Sequence, residues 1–266
     1  MKTILIFGVG WLGNAVVDTL ASSKRKIIVA TRSQVLQKSN PAIEYRKISF
    51  HAQSGAIEFE VPMTQKVDEV LVMLPPSKMV NYANTIDSIC KQFSSVDHFI
   101  FTSSTGVYQE HSGWVYEDSA LKKGHPVVLA EEQIGRNFQK KATILRLSGL
   151  IGNNRHPVRY FLEKKINLNG NTPVNLIHRK DIINALTILL ENPRPGIFNL
   201  CYPAHPTKSE YYSEIARELF QTQLDFDLQG SGKMINGSKF ASTFKYEYQF
   251  DIHDLDNLDK VNKDNK

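Results

Sequence analysis

The chain has 266 residues, a formal net charge of +5 and a pI near 9.0. Hydrophobic residues make up 41% and charged residues 22%, the balance of a water-exposed globule with a buried core, which argues against disorder and against a membrane protein. The basic excess suits an anionic ligand, but the charges form no stripe and do not interleave with aromatics, so nucleic acid is not an expected partner.

From the N-terminus, the apolar run of MKTILIF stops at Gly8, short of a signal-peptide core, and no later run is long enough to span a bilayer. Thr3 to Phe7 reads as a buried strand, and Trp11, Leu12, Ala15, Val16, Thr19 and Leu20 carry helical periodicity. Strands follow at Lys26 to Ala30, near Ile43 to Ile48 and at Val67 to Leu74. A helix runs through Tyr82, Ile86, Ile89 and Phe93, and HFIFTSS, residues 98 to 104, is the next strand. ATILRLSGL continues the series. Asn153 to Pro157 reads as a loop, Arg179 to Asn192 as an amphipathic helix, Gly196 to Leu200 as a strand and Lys208 to Phe220 as a helix.

Strands alternating with helices predict an α/β fold, a Rossmann doubly wound parallel sheet with a smaller C-terminal α/β part. The expected division is a dinucleotide-binding domain over 1–147, a substrate-binding part over 148–250 lying over the carboxyl edge of the first sheet, and a loose polar tail over 251–266. Cys90 and Cys201 form no CxxC and read as reduced, buried small residues, which suits a cytoplasmic protein. The eight histidines contain no HxxH, HxxxH or HExxH, so no metal is expected.

Gly8-Val9-Gly10-Trp11-Leu12-Gly13 is a GxGxxG between a predicted strand and a predicted helix. There Gly8 permits the turn, Gly10 lets a pyrophosphate approach the backbone, and Gly13 lets helix and strand pack closely. Where an NAD-selective site places an acid at the end of the second strand, this sequence reads Ala30-Thr31-Arg32-Ser33. An arginine between two hydroxyls suits the 2′-phosphate of NADP, with NAD as the alternative.

FTSSTGVY (101–108) resembles the strand-five segment of extended short-chain dehydrogenases/reductases, the NAD(P)-dependent epimerase/dehydratase group. LRLSGLIG (145–152), VNLIHRKDIINAL (174–186), GIFNLCYPAHPTKSEYYSEIA (196–216) and GSKFASTFKYEYQF resemble later segments of the same group, in order. GVGWLG, NNRHP and PAHP are similar to its atypical YeeZ-like branch.

The resemblance implies an NAD(P)-dependent oxidoreductase or epimerase acting on a small polar, sugar-nucleotide-like substrate, with a homodimer as a possible assembly. Leu74, Pro75, Pro76, Thr102 and Ser103 fall where relatives hold the cofactor, Ser104 matches the catalytic Ser/Thr, and Tyr108 a pocket tyrosine. Ser148, Arg155, His156, Asn175 and His178 fall in substrate-lining segments. Arg155 could grip a phosphate or carboxylate and His156 could titrate near neutral pH, while His178 and Asp181 also suit structural roles.

Two departures stand out. Phe7 occupies the first glycine of the family's TGxxGxxG. The family's YxxxK is missing, with Val127 where Tyr belongs and Glu131 where Lys belongs. Valine has no proton to transfer, which leaves open a non-catalytic dinucleotide-binding sensor or scaffold, or an isomerase or lyase that has lost the redox step.

Overall fold

The structure is a computed structural model that describes residues 1–21, 24–32, 40–152, 154–164 and 166–254. Ser33, Asn153 and the tail beyond 254 lie outside the described residues.

In chain order the elements are β1 (Lys2–Phe7), α1 (Trp11–Leu20), β2 (Arg25–Thr31), β3 (Ile43–Phe50), β4 (Ile57–Phe59), β5 (Glu69–Val72), α2 (Tyr82–Gln92), β6 (His98–Ser104), β7 (Gly113–Val115), α3 (Pro126–Phe138), β8 (Ala142–Leu147) and β9 (Gly149–Ile151). Then come α4 (Pro157–Lys164), β10 (Leu168–Asn169), β11 (Leu176–His178), α5 (Arg179–Glu191), β12 (Gly196–Leu200), α6 (Lys208–Phe220), β13 (Phe226–Asp227), β14 (Lys233–Ile235) and α7 (Ser238–Phe244).

Eight strands form one sheet in the order β12-β8-β6-β5-β1-β2-β3-β4. β6, β5, β1, β2 and β3 run parallel, and β4 returns antiparallel to β3. Ile4 to Phe7, Ile27 to Val29 and Val70 to Val72 are fully buried, as parallel strands covered on both faces must be. Their continuous apolar runs made them readable from sequence. The chain moves from β1 to β2 and β3 on one side, then crosses to β5 and β6 on the other. The topological switch therefore lies between β1 and β5, and the crevice outside strand ends at such a switch is where ligands of doubly wound sheets bind.

Two compact units emerge, and the chain weaves between them. The first holds 1–107, 121–146 and 186–197; the second holds 108–120, 147–185 and 198 onward. Relative to a single cut near residue 147, the segment 108–120 thus falls with the later residues and 186–197 with the earlier ones.

Small parallel pairs, β9 with β11, β7 with β14 and β10 with β13, frame the second unit. Its core gathers Ile151, Val158, Val174, Leu176, Tyr211, Ile215 and Ile252. The expected loose tail does not begin at Asp251. Ile252 is fully buried and its carbonyl accepts from the Tyr211 hydroxyl at 2.9 Å.

Candidate functional site

Register fixes the site. Phe7 lies beside Ala30 of β2 and Val72 of β5, and Val72 lies beside Phe101 of β6. One residue further on, Thr102, Met73, Gly8 and Thr31 therefore line the carboxyl edge of the sheet side by side.

Gly8 has φ +93°, and a Cβ there would lie 2.5 Å from the Met73 carbonyl group, so only glycine fits between the turn and the segment after β5. At Gly13 a Cβ would sit 2.1 Å from the Gly8 carbonyl oxygen, which is the close helix–turn approach that the motif predicts. Gly10 differs. A Cβ there would meet nothing within 4 Å. Gly10 is also the N-cap of α1, no side chain caps that helix, and its first turn carries no acid. The positive end of a helix thus opens onto space at Gly10, with no acid in its own first turn, a setting that accepts an anion. Trp11 is half-buried and Leu12 buried behind it.

Beside the turn, Thr31 is buried and Arg32 exposed, its guanidinium 5.6 Å from the centre of the Phe50 ring. On the other side, the Leu74 carbonyl accepts from the Tyr82 hydroxyl at 2.8 Å, and exposed Pro75 and Pro76 lead into a short 3-10 turn. The Thr102 hydroxyl donates to the Val72 carbonyl at 3.4 Å.

Ser103 and Ser104 face different surroundings because successive residues of a strand alternate sides. Ser103 is buried and its hydroxyl donates to Glu131 Oε1 at 2.5 Å. Ser104 is exposed and its Oγ accepts from the Gly106 amide at 3.1 Å.

Glu131, which stands where the family's Lys belongs, is buried on α3 and held by Arg146 of β8. Arg146 Nη2 donates to Oε2 at 2.6 Å and Nε to Oε1 at 3.1 Å. Both side chains are almost wholly out of water, so each charge is compensated by the other. Val127, one turn earlier on the same face, is also buried. Sequence reasoning missed Arg146. The signal was an arginine inside the otherwise apolar ATILRL strand, where a buried charge demands a partner.

The candidates in the second unit are engaged in structure. Tyr108 is fully buried and its hydroxyl donates to Asn199 Oδ1 at 2.6 Å. Asn199 is itself held, its amide donating to Glu117 Oε1 at 2.8 Å. Asn175 stitches the chain, giving its Nδ2 to the Lys233 carbonyl and taking the Ile235 amide on Oδ1. His178 is buried, stacks on Phe250 with ring centres 4.8 Å apart, and accepts on Nδ1 from the Lys180 amide. Asp181 accepts from the Tyr246 hydroxyl and from the amides of Gln249 and Phe250. Ser148 is buried beside the Cys201 thiol, and Arg155 is exposed.

The near-neutral titration expected of His156 is corrected. The ring is buried, lies 3.1 Å from the Tyr211 hydroxyl and accepts from the Val158 amide, and burial lowers its pKa to about 3. An imidazolium there would lose its hydration without gaining a carboxylate.

Cys90 and Cys201 are both buried, and burial pushes both thiols up to about 12. Among the described residues no group of three or more His, Cys, Asp or Glu could hold a metal, and no helix is long and apolar enough to cross a membrane.

Protein YeeZ of Escherichia coli strain K12 is 30% identical over 272 residues, covering 94% of this chain and 97% of that protein. The chain belongs to the YeeZ-like branch of the atypical extended short-chain dehydrogenases/reductases. No family model matches it. Among solved structures, this YeeZ-like chain is similar to UDP-glucuronic acid 4-epimerase from Bacillus cereus in complex with NAD, with TM-score 0.75, 17% identity and 97% of each chain covered. It is also similar to a conserved protein of unknown function from Silicibacter pomeroyi, with TM-score 0.73, 20% identity and 98% of each chain covered. At these identities the likeness is one of fold. Within that fold the YeeZ-like chain carries valine and an arginine-paired glutamate where the YxxxK alignment expects tyrosine and lysine.

Proposed function

We propose that this protein binds a nicotinamide dinucleotide across the Gly8–Gly13 turn, NADP(H) in preference to NAD(H), and holds it without the Tyr–Lys proton relay of its family. The observation that carries the reading is the uncapped start of α1, with open space at Gly10 between two glycines that packing requires. Backbone amides and the helix dipole there suit two linked phosphates. The absence of a carboxylate after β2, with exposed Arg32 in its place, favours a ribose carrying a 2′-phosphate. The 4-epimerase likeness, in a protein solved with NAD, supports the cofactor class.

When bound, the nicotinamide ring supplies hydride exchange. The chain's own residues are poorly arranged to move the accompanying proton. Val127 has none to give, Glu131 is consumed by Arg146 and Ser103, and the Tyr108 hydroxyl is already donated to Asn199. A protein that reports dinucleotide level or redox state to a partner needs none of these groups.

The second reading is an oxidoreductase or epimerase on a small polar, sugar-nucleotide-like substrate, as the relatives' substrates suggest. The exposure of Ser104, at the family's Ser/Thr position, favours it, since that hydroxyl remains accessible to a substrate oxygen. Titration with NADPH and NADH, followed by calorimetry and thermal shift, tests the first claim, and saturable binding with NADPH tighter is expected. Failure to bind either dinucleotide refutes both readings. Turnover of bound NADPH with a carbonyl or sugar-nucleotide panel would replace the first reading by the second.

A further inference from the structure

The second unit contains a cavity of about 390 Å³ that no part of the dinucleotide argument uses. Trp114, Tyr202, His205, Tyr246 and Tyr248 line it, and among the described residues its lining holds one acidic side chain, Glu247, and no lysine or arginine. The rings stand at steep angles to one another: Tyr246 to Tyr248 at 5.5 Å and 81°, Tyr202 to Tyr248 at 6.5 Å and 75°, Trp114 to His205 at 5.3 Å and 84°.

The polar ends of the tyrosines are committed elsewhere. Tyr246 donates to Asp181, Tyr248 to the Gly237 carbonyl at 3.2 Å, and the Tyr202 hydroxyl lies close to the Asp251 carboxylate. What remains for an occupant is mainly ring surface. Burial lowers the His205 pKa from its ordinary value, and its Nδ1 already sits 3.1 Å from the Val174 carbonyl.

Charge points the same way. Glu247 on the lining, Asp251 at Tyr202 and Asp181 at Tyr246 place three carboxylates around the rings, and none of the three forms an ion pair with a described residue. Lys239 of α7 is turned to the ring of Phe198, 5.1 Å from its centre. Such a setting repels phosphates and nucleotides. It attracts a cation that is large, weakly hydrated and able to lie against aromatic faces.

We propose that this cavity is a binding site for a small organic cation bearing an alkylated ammonium group, distinct in charge preference from any dinucleotide site. Aromatic faces supply cation–π attraction, Glu247 supplies the counter-charge, and the volume lies in the range of small-molecule pockets, roughly 300–1,000 Å³.

Calorimetric titration of the full-length protein with choline, and with its uncharged isostere 3,3-dimethyl-1-butanol, tests this without any dinucleotide present. Saturable choline binding is expected, with the isostere about tenfold weaker or more, since it keeps the shape and loses the charge. Trp114→Ala should weaken choline by about tenfold and Glu247→Gln by several-fold. Both residues are exposed enough that the fold should survive, and an unchanged thermal midpoint verifies it. Absence of saturable choline binding, equal binding of the isostere, or wild-type affinity in both variants would overturn the proposal. Dinucleotide binding is read separately, so failure here leaves the Gly8–Gly13 reading standing.

Discussion

A methyl group at Gly13 would lie 2.1 Å from the Gly8 carbonyl oxygen, whereas one at Gly10 would meet nothing within 4 Å. The two glycines therefore answer to different demands, and substitution separates them. Gly13→Ala should destabilise the fold by about 1–3 kcal/mol through overpacking, seen as a lowered thermal midpoint. Gly10→Ala, at a backbone φ of −95° that alanine adopts freely, should leave that midpoint nearly unchanged and weaken NADPH about tenfold or more. Wild-type NADPH affinity in Gly10→Ala would show that no phosphate seats there. Arg32→Ala should weaken NADPH about tenfold, the loss of one charge-assisted contact, while NADH affinity stays put. The glycine spacing was legible in sequence because each position has a local backbone reason. The roles of Tyr108 and His156 were not, since a side chain's partners such as Asn199 and Tyr211 are 91 and 55 residues away.

At the scale of elements, α3 shows how a helix can keep its position while its chemistry changes. Val127, Glu131, Ile134 and Phe138 share its buried face at helical spacing, so a carboxylate at position 131 is directed inward regardless of its charge. Arg146 on β8 makes that tolerable. Glu131→Gln should cost about 3–5 kcal/mol in urea unfolding, because it strands a buried guanidinium. Replacing both partners at once, with Glu131→Met and Arg146→Met, should recover most of the loss, since the desolvation of both charges disappears together. Equal stability of the single variant and wild type would mean that the pair is hydrated. Helix α6 was readable to its ends, because Thr207 and Glu210 form a reciprocal capping box. The short strands β7, β10, β13 and β14 were not, since two or three residues carry no periodicity.

Across the whole molecule, buried neutral histidines make stability depend on pH. Burial lowers His98 to about 4, where its Nε2 lies 2.8 Å from Thr143 Oγ1, and lowers His156 to about 3, against an ordinary 6.5 for both. Between those values and 6.5 the unfolded chain binds protons that the native state refuses, so stability rises with pH and is lost as pH falls below 6.5. One histidine lies in each unit, so both weaken together on acidification. Thermal midpoints from pH 8 to pH 4 should be level above about 7 and fall below it, with a slope approaching one proton per histidine. His156→Gln should flatten that slope. A wild-type profile that stays level to pH 4 would show that these imidazoles are not held neutral.

Sequence alone determined the alternation of strands and helices, the glycine turn, the loss of an acid after β2 and the departure from YxxxK. The first three are local, following from periodicity or from one residue's backbone and side-chain chemistry, while the departure from YxxxK is read against the family segments the chain resembles. The tertiary structure decided the rest, namely that Glu131 is neutralised by Arg146, that the Tyr108 hydroxyl is donated to Asn199, that His156 is buried, and that five aromatic rings from three stretches of chain line one cavity. Those outcomes depend on which distant residues share a dry interior, and burial sets the cost of a charge in a way that no spacing along the chain encodes.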